Sequence, residues 1–343
     1  MGAVFLAIGL AGSLTSGWLL EQTHTPEDII DMSRQYLRIV MLGLPFMAVY
    51  NVYAAVLRGM GESKAPFYAV LVACLVNVGL DLLLVGPLNM AVEGAAVATV
   101  AAQGMMAAFI LVYAKRGKGL RVRGEKLLDV PLLKQGALLG LPMAIQSSIN
   151  SLGSVVLQNF MNGFGSTTVA AITTAYRVDS VILLPVINLS AGISTVTAQN
   201  VGAGNFHRAK RGLWVGTGIM TAVSATLAVL VVTVGGDLVA IFGVTEASTN
   251  IGRLFFRNIG LFYPVYGLAM SLRGYLEGLG DVFWSSAIGI GALVLRIVLS
   301  YALADLAGNQ IIAWAEAASW CAMLVLFAVR YIWKNHTAAE NIN

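Results

Sequence analysis

The feature that most constrains this chain is the length of its apolar runs. Ten of them (2–20, 36–58, 66–86, 90–113, 136–161, 168–198, 213–234, 255–275, 283–304 and 310–333) are long enough to cross a bilayer as helices. A helix of about 20 residues spans roughly 30 Å of hydrocarbon. Only 11% of the 343 residues are charged and 58% are apolar, where a soluble domain carries roughly 25% charge. A chain this poor in charge cannot cover its outside against water. It reads as an all-α polytopic membrane protein with ten transmembrane helices, punctuated by Gly59-Met60-Gly61, Gly86-Pro87-Leu88-Asn89 and Ala307-Gly308-Asn309. Met1–Leu20 lacks a basic front and leads into acidic residues, so it reads as a span and not as a cleaved leader.

Several function classes drop out. Cys74 and Cys321 lie inside apolar runs, and His24, His207 and His336 lie in connections or the tail, so neither a disulfide framework nor a zinc site is expected. The spans contain no HExxH, no carboxylates paired at helical spacing and no Ser/His pair, which argues against an enzyme. The net charge of +4 gives no reason to expect nucleic acid. Its distribution is more telling. Fifteen of the twenty-one Lys and Arg residues fall on the side holding the 59–65, 114–135, 199–212 and 276–282 connections and the tail, and only Arg34, Arg38, Arg253 and Arg257 fall opposite. The positive-inside rule makes the tail cytoplasmic. Four segments are expected: a first lobe 1–113, a basic linker 114–135, a second lobe 136–334 and a tail 335–343. The linker (Lys115, Arg116, Lys118, Arg121, Arg123, Lys126, Lys134) reads as a topogenic inside loop, with contact to anionic headgroups as the lesser option.

The chain also repeats itself at an offset of 219 residues, which pairs Gly17 with Gly236, Leu19 with Leu238, Glu27 with Glu246, Arg38 with Arg257 and Pro45 with Pro264. Gly59 and Gly61 likewise pair with Gly278 and Gly280, and Glu62 with Asp281. Six helices fit in the offset, so both copies enter the membrane in the same direction, the parallel repeat of many transporters. Region 136–198 of the second copy has no counterpart ahead of Met1. The repeat therefore predicts about 85–100 further residues in front of a complete chain.

Several segments resemble the multidrug and toxic compound extrusion (MATE) family: Gly43-Leu44-Pro45-Phe46, Leu57-Arg58-Gly59-Met60-Gly61-Glu62-Ser63-Lys64, Asn77-Val78-Gly79-Leu80-Asp81, Gly140-Leu141-Pro142, and Gln199-Asn200-Val201-Gly202-Ala203-Gly204-Asn205 followed by Arg208-Ala209. The resemblance implies two pseudo-symmetric six-helix lobes forming a V, here with ten helices of the twelve and a first lobe of four. It implies a monomer in a prokaryotic inner membrane, working on small cationic or amphipathic molecules.

Asp81 is the leading site candidate, because an ionised carboxylate within an apolar helix costs at least ~2.5–3.5 kcal/mol. Asn77 lies one turn earlier on the same face. Asn51 and Thr99, on the flanking helices, could add oxygens for a proton or a hard monovalent cation such as Na+ at Asp81 and Asn77. The second copy replaces Asn51, Asn77 and Asp81 with Met270, Arg296 and Ser300. The competing reading is a cap or interhelical hydrogen bond. The resemblance implies the ion cavity: residues matching Asn51, Asn77, Asp81 and Thr99 line it in prokaryotic members, together with an acid on a helix these 343 residues do not contain. No cofactor is expected beyond the coupling ion, Na+ or H+.

For the substrate cavity the candidates are Gln146, Asn150, Gln158, Asn159, Arg177 and Arg296, with Ser147 and Ser148 adding to an unusually polar helix 136–161. Interhelical hydrogen bonds explain these residues equally well. Arg296 calls for a partner that spacing does not supply. Pro45, Pro142, Pro185 and Pro264 are expected to kink helices. The functional expectation is a cation antiporter for drugs and toxins with alternating access. A lipid-linked saccharide flippase of the same fold and a non-transporting fragment are the alternatives.

Overall fold

The computed structural model describes residues 2–22, 27–117 and 129–340. Most of the expected basic linker (118–128), His24 and the last tail residues (341–343) lie outside them. The described residues form helices joined by short connections, with no strand among them, and the chain divides into two units, Met1–Glu125 and Lys126–Asn343.

The first unit contains α1 (Gly2–Gln22), α2 (Glu27–Met41), α3 (Leu44–Gly59), α4 (Lys64–Val85) and α5 (Ala91–Val112), which runs into a π-helical turn at Tyr113–Gly117. α4 packs along α5, and α2 and α3 pack on α5's other sides. The core between them is narrow: Ala65, Ala69, Ala73 and Ala102 let the backbones approach, while Leu57, Met106 and Ile110 fill the gaps. The outer faces stay apolar, with Leu75 and Leu82 of α4 66% and 71% exposed. Such a surface needs lipid as its solvent.

The second unit contains α6 (Val130–Asn162), α7 (Ser166–Ile182), α8 (Leu184–Gly202), α9 (Phe206–Ala240), α10 (Glu246–Gly260), α11 (Tyr263–Gly278), α12 (Val282–Ala302), the short α13 (Ala304–Ala307) and α14 (Ile311–Glu340). α11 sits centrally, packed on α8, α9 and α14, and α12 joins α14 to α6. The core includes Met220, Val231, Phe256, Ile259, Tyr263 and Trp320.

Several expected boundaries shift: the runs 36–58 and 255–275 each divide, into α2 and α3 and into α10 and α11, and 213–234 is the middle of the longer α9. α6 begins at Val130, ahead of 136, because the Asp129 carboxylate accepts from the Leu132 N–H (3.2 Å) and Pro131 tolerates the first turn. The run 168–198 is not one helix: it breaks at Leu183 into α7 and α8, bent by 40°. Pro185 explains the break, since its missing N–H fits a new first turn and not a helix interior. Pro45 and Pro264 stand in the same position at the starts of α3 and α11, whereas Pro142 lies inside an unbroken α6. Among the described residues six spans are long and apolar enough to cross a membrane, and the bent α7–α8 pair makes a seventh. α6 and α10–α11 are longer on polar side chains, and α1 has an apolar stretch of only Phe5–Trp18.

The repeat is visible in hydrogen bonds. At the end of α3, the Glu62 N–H donates to the Leu57 carbonyl (2.8 Å) and the Gly61 N–H to the Arg58 carbonyl (3.0 Å), with Gly61 at φ +84°. At the end of α11 the Asp281 N–H donates to the Leu276 carbonyl (2.9 Å) and the Gly280 N–H to the Glu277 carbonyl (2.9 Å), with Gly280 at φ +80°. This is the same Schellman closure, possible because glycine accepts a positive φ. Helices α1 to α4 correspond in order to α9 to α12, and α5 to α14, while α6, α7 and α8 have no counterpart among the described residues.

Candidate functional site

Each unit buries ionisable groups where apolar packing surrounds them, but in different ways. In the first unit, Asp81 and Asn77 stand one turn apart on α4, both half-buried. One Asp81 carboxylate oxygen, Oδ1, and the Asn77 amide nitrogen are shielded from solvent and have no hydrogen-bond partner among the described residues. The Gln103 amide oxygen on α5 and Arg34 Nε on α2 are in the same condition. An unmet buried polar atom costs about 1–3 kcal/mol, more when charged. The Asn77 amide can turn over to offer its oxygen in place of its nitrogen, since the two ends are isosteric. Asp81 and a turned Asn77 then form a pair of acceptors one helical turn apart, a donor set that suits a small hard cation.

Asn51 and Thr99 are placed less favourably. Asn51 is exposed and its amide donates to the Met47 carbonyl of its own helix (2.9 Å). Thr99 is half-buried and donates to the Ala95 carbonyl (2.9 Å). Neither is hydrogen-bonded to Asp81 or Asn77. To a cation they could contribute only their side-chain oxygens.

In the second unit the polar groups close on one another. Arg296 of α12 donates from Nη2 to the Glu316 carboxylate of α14 (2.9 Å) and to the Tyr176 hydroxyl of α7 (2.5 Å). Its guanidinium also lies 5.4 Å from the centre of the Tyr176 ring. One turn along α7, Asp179 accepts from the Tyr263 hydroxyl of α11. Asp179 and Glu316 are 7% and 6% exposed. Arg273 of α11 donates from Nε to Glu277 (2.7 Å) and from Nη2 to the Gln146 side chain of α6 (3.0 Å). Gly289 makes the Gln146 position possible, because a Cβ there would collide with the amide.

These groups border a cavity of about 270 Å³, lined on its polar side by Gln146, Asn150, Arg273, Arg296 and Glu316 and on its apolar side by Leu157, Tyr266, Met270, Trp320 and Met323. Three of the expected cavity residues, Gln146, Asn150 and Arg296, therefore come together. The other three do not line it. Gln158 bonds Asn162 (3.2 Å) one turn on, and Asn159 and Arg177 are exposed. Their helical phase points them away from the face that holds Gln146 and Asn150, or Asp179. Glu316 was not singled out from the sequence, although an acid within an apolar run is the same signal that marks Asp81. The partner of Arg296 lies 20 residues downstream on another helix, beyond the reach of spacing rules.

A second ionic lock closes the α11–α12 turn. Arg330 of α14 grips Asp281 with two bonds, Nε to Oδ2 (2.7 Å) and Nη2 to Oδ1 (2.9 Å), while stacking 4.5 Å from the Trp333 ring and 4.9 Å from Trp284. Lys334 adds a contact at 3.6 Å. Burial alone would raise the Asp281 carboxyl, but the Arg330 bonds and the Lys334 charge outweigh it and hold the group below the usual carboxylate range. The matching Glu62 instead accepts from the Tyr113 hydroxyl (3.0 Å) and the Lys64 N–H (3.0 Å).

The MatE family model matches residues 1–83 and 142–302. The chain is 26% identical to the probable multidrug resistance protein YoeA of Bacillus subtilis over 96% of its own length and 74% of that protein's. It is 28% identical to the probable multidrug resistance protein YpnP of the same organism, over 87% of this chain and 65% of that one. A crystal structure of MATE in the bent conformation superposes with a TM-score of 0.87 at 17% identity, covering 99% of this chain and 77% of that one. A MOP superfamily transporter from Pyrococcus furiosus superposes at 0.85 and 19%, covering 98% and 77%. The two-lobed, all-helical fold is shared, and the family is one of transporters, not of enzymes. With most of both units matched, the chain belongs to the MatE family of multidrug and toxic compound extrusion transporters.

Proposed function

We propose that this chain exports small cationic or amphipathic molecules by secondary active transport, drawing on the inward flow of Na+ or H+ bound at Asp81. The observation that carries the reading is the unpartnered Asp81 carboxylate oxygen, buried beside an unpartnered Asn77 amide in an otherwise apolar helix. A fold that only needed packing there would gain stability by losing both groups. Their presence makes sense if a positive ion completes the site in one state and leaves it in another, biasing the unit between two arrangements that alternate access. Asn51 and Thr99 serve as supplementary oxygens. Relatives with related names support the substrate class: two probable multidrug resistance proteins of Bacillus subtilis and the multidrug export protein MepA of Staphylococcus aureus. The protein works as a monomer in a prokaryotic inner membrane, with its C-terminus in the cytoplasm.

The test is export of a fluorescent organic cation from vesicles under imposed Na+ or H+ gradients. Asp81→Asn keeps the shape of the side chain and removes its charge, and gradient-driven export should vanish. Undiminished export by that variant would defeat the assignment.

A further inference from the structure

Where α8 turns into α9, the second unit carries positive charge that its own fold does not use. α8 holds no charged side chain, and the one acid of α9, Asp237, lies toward the far end of that helix. Glu277 and Asp281, which close the nearby end of α11, are already bound by Arg273 and Arg330. Arg208 and Arg211 therefore have no carboxylate within ion-pair distance among the described residues. Together with His207 they line an open groove of about 610 Å³, within the range of about 300–1,000 Å³ usual for ligand sites. The start of α9 is itself capped, since the Asn205 side chain accepts from the Arg208 N–H (3.0 Å). The charge on offer is that of the side chains.

The groove changes character along its length. On α9, Arg211 lies three residues beyond Arg208 and Val215 four beyond Arg211, so all three share one face. On α8, Asn200 and Val196 are related by the same spacing of four. The turn between Gly202 and Phe206 is short, so the two helices run antiparallel and both walls pass from polar near the turn to apolar farther in. Gly212 keeps the passage between the two ends low, because it has no side chain of its own, and a Cβ there would already press on Val196 at 3.2 Å. Phe206 and Trp214 stand exposed on the same stretch of α9, the kind of aromatic surface that settles at headgroup level. A small soluble anion would use only the charged end. A molecule with a phosphate at one end and hydrocarbon at the other matches both.

We propose that this groove is a binding site for an anionic phospholipid, with its phosphate held by Arg208 and Arg211 beside His207, and the start of an acyl chain laid over Gly212 against Val196 and Val215. Arginine suits the task because its planar fork meets phosphate oxygens two at a time, and basic pockets between spans are where anionic headgroups dock. The site shares no residue with Asp81 and its reading does not depend on export.

The experiment takes the purified full chain in neutral detergent and titrates it with phosphatidylglycerol or phosphatidylcholine, counting retained lipids by native mass spectrometry. The parent should retain phosphatidylglycerol in preference to phosphatidylcholine. Each arginine near a headgroup contributes about 1 kcal/mol, so Arg211→Gln should weaken phosphatidylglycerol binding about fivefold and Arg208→Gln with Arg211→Gln about 30-fold. Lys210→Gln removes the same charge one residue away, at a side chain outside the groove, and should bind as the parent does. Glycerophosphoglycerol, the same headgroup without its chains, should not displace the lipid. Equal retention of the two lipids by the parent, or a loss in Lys210→Gln matching that in Arg211→Gln, would overturn the proposal. So would displacement by glycerophosphoglycerol or by inorganic phosphate, which would make this a site for soluble anions. Every readout is of binding, so failure here leaves the transport reading standing, and failed transport leaves this one.

Discussion

The two units build from one duplicated helical plan and treat their buried charges oppositely. In the first, Asp81 Oδ1 faces no bonding partner among the described residues; in the second, Arg296, Glu316, Tyr176, Asp179 and Tyr263 are all engaged with one another or with neighbours. The turns that hold the helices are nearly superposable, down to matching carbonyl acceptors five residues back. What has been kept between the copies is therefore the scaffold, and what has diverged is the interior polarity. The offset puts Arg296 where the first copy has Asn77 and Ser300 where it has Asp81, so one lobe has lost the acid and gained a base at a single pair of positions.

Stability measurements should separate the two modes. Arg296→Met, which strips the cation from two buried carboxylates, should cost about 3–5 kcal/mol in detergent unfolding. Asp81→Ala should cost almost nothing or stabilise, because it removes an unmet group. Equal losses for the two variants would erase the distinction. A smaller effect comes from Asp281. Because its folded carboxyl is held below the ordinary carboxylate range, its contribution is complete above about pH 4, the unfolded value, and fades as pH falls through the lower folded one. The stability gap between the native chain and Asp281→Asn should stay flat from pH 7 to about 5 and close only in stronger acid. Smallest of all is a matched glycine pair. A Cβ at Gly278 would meet the Ser194 carbonyl at 2.6 Å, while one at Gly59 meets nothing within 4 Å. Gly278→Ala should lose about 1–3 kcal/mol, and Gly59→Ala should be neutral or gain up to about 1.

Much of this was legible beforehand. Apolar run length exposed the helices because a bilayer demands roughly 20 residues each, and the Gly-x-Gly-acid turns exposed the duplication because only glycine closes such a helix end. The break at Leu183 was hidden, since Pro185 in a long apolar run reads equally as a kink or an ending. Asp81 and Asn77 stood out because the signal is local: an acid in an apolar run, an amide one turn away. Asn51 looked equivalent by proximity in sequence, but its rotation about α3 turns it outward. The Arg296 partners come from α7 and α14, 120 and 20 residues away, and no periodicity connects residues on separate helices.

One element carries a consequence for how the protein is seated. At 35 residues, α9 is about 52 Å long by the helical rise, against roughly 30 Å of hydrocarbon. Its opening turns, with His207, Arg208, Lys210 and Arg211, must stand clear of the oil, and His207, Arg208 and Arg211 border a groove with Gln199 and Asn200. The helix works as a depth gauge: its greasy stretch is free to slide only as far as those cations tolerate, so trimming or lengthening it by a turn would raise or sink the whole second unit relative to the headgroups.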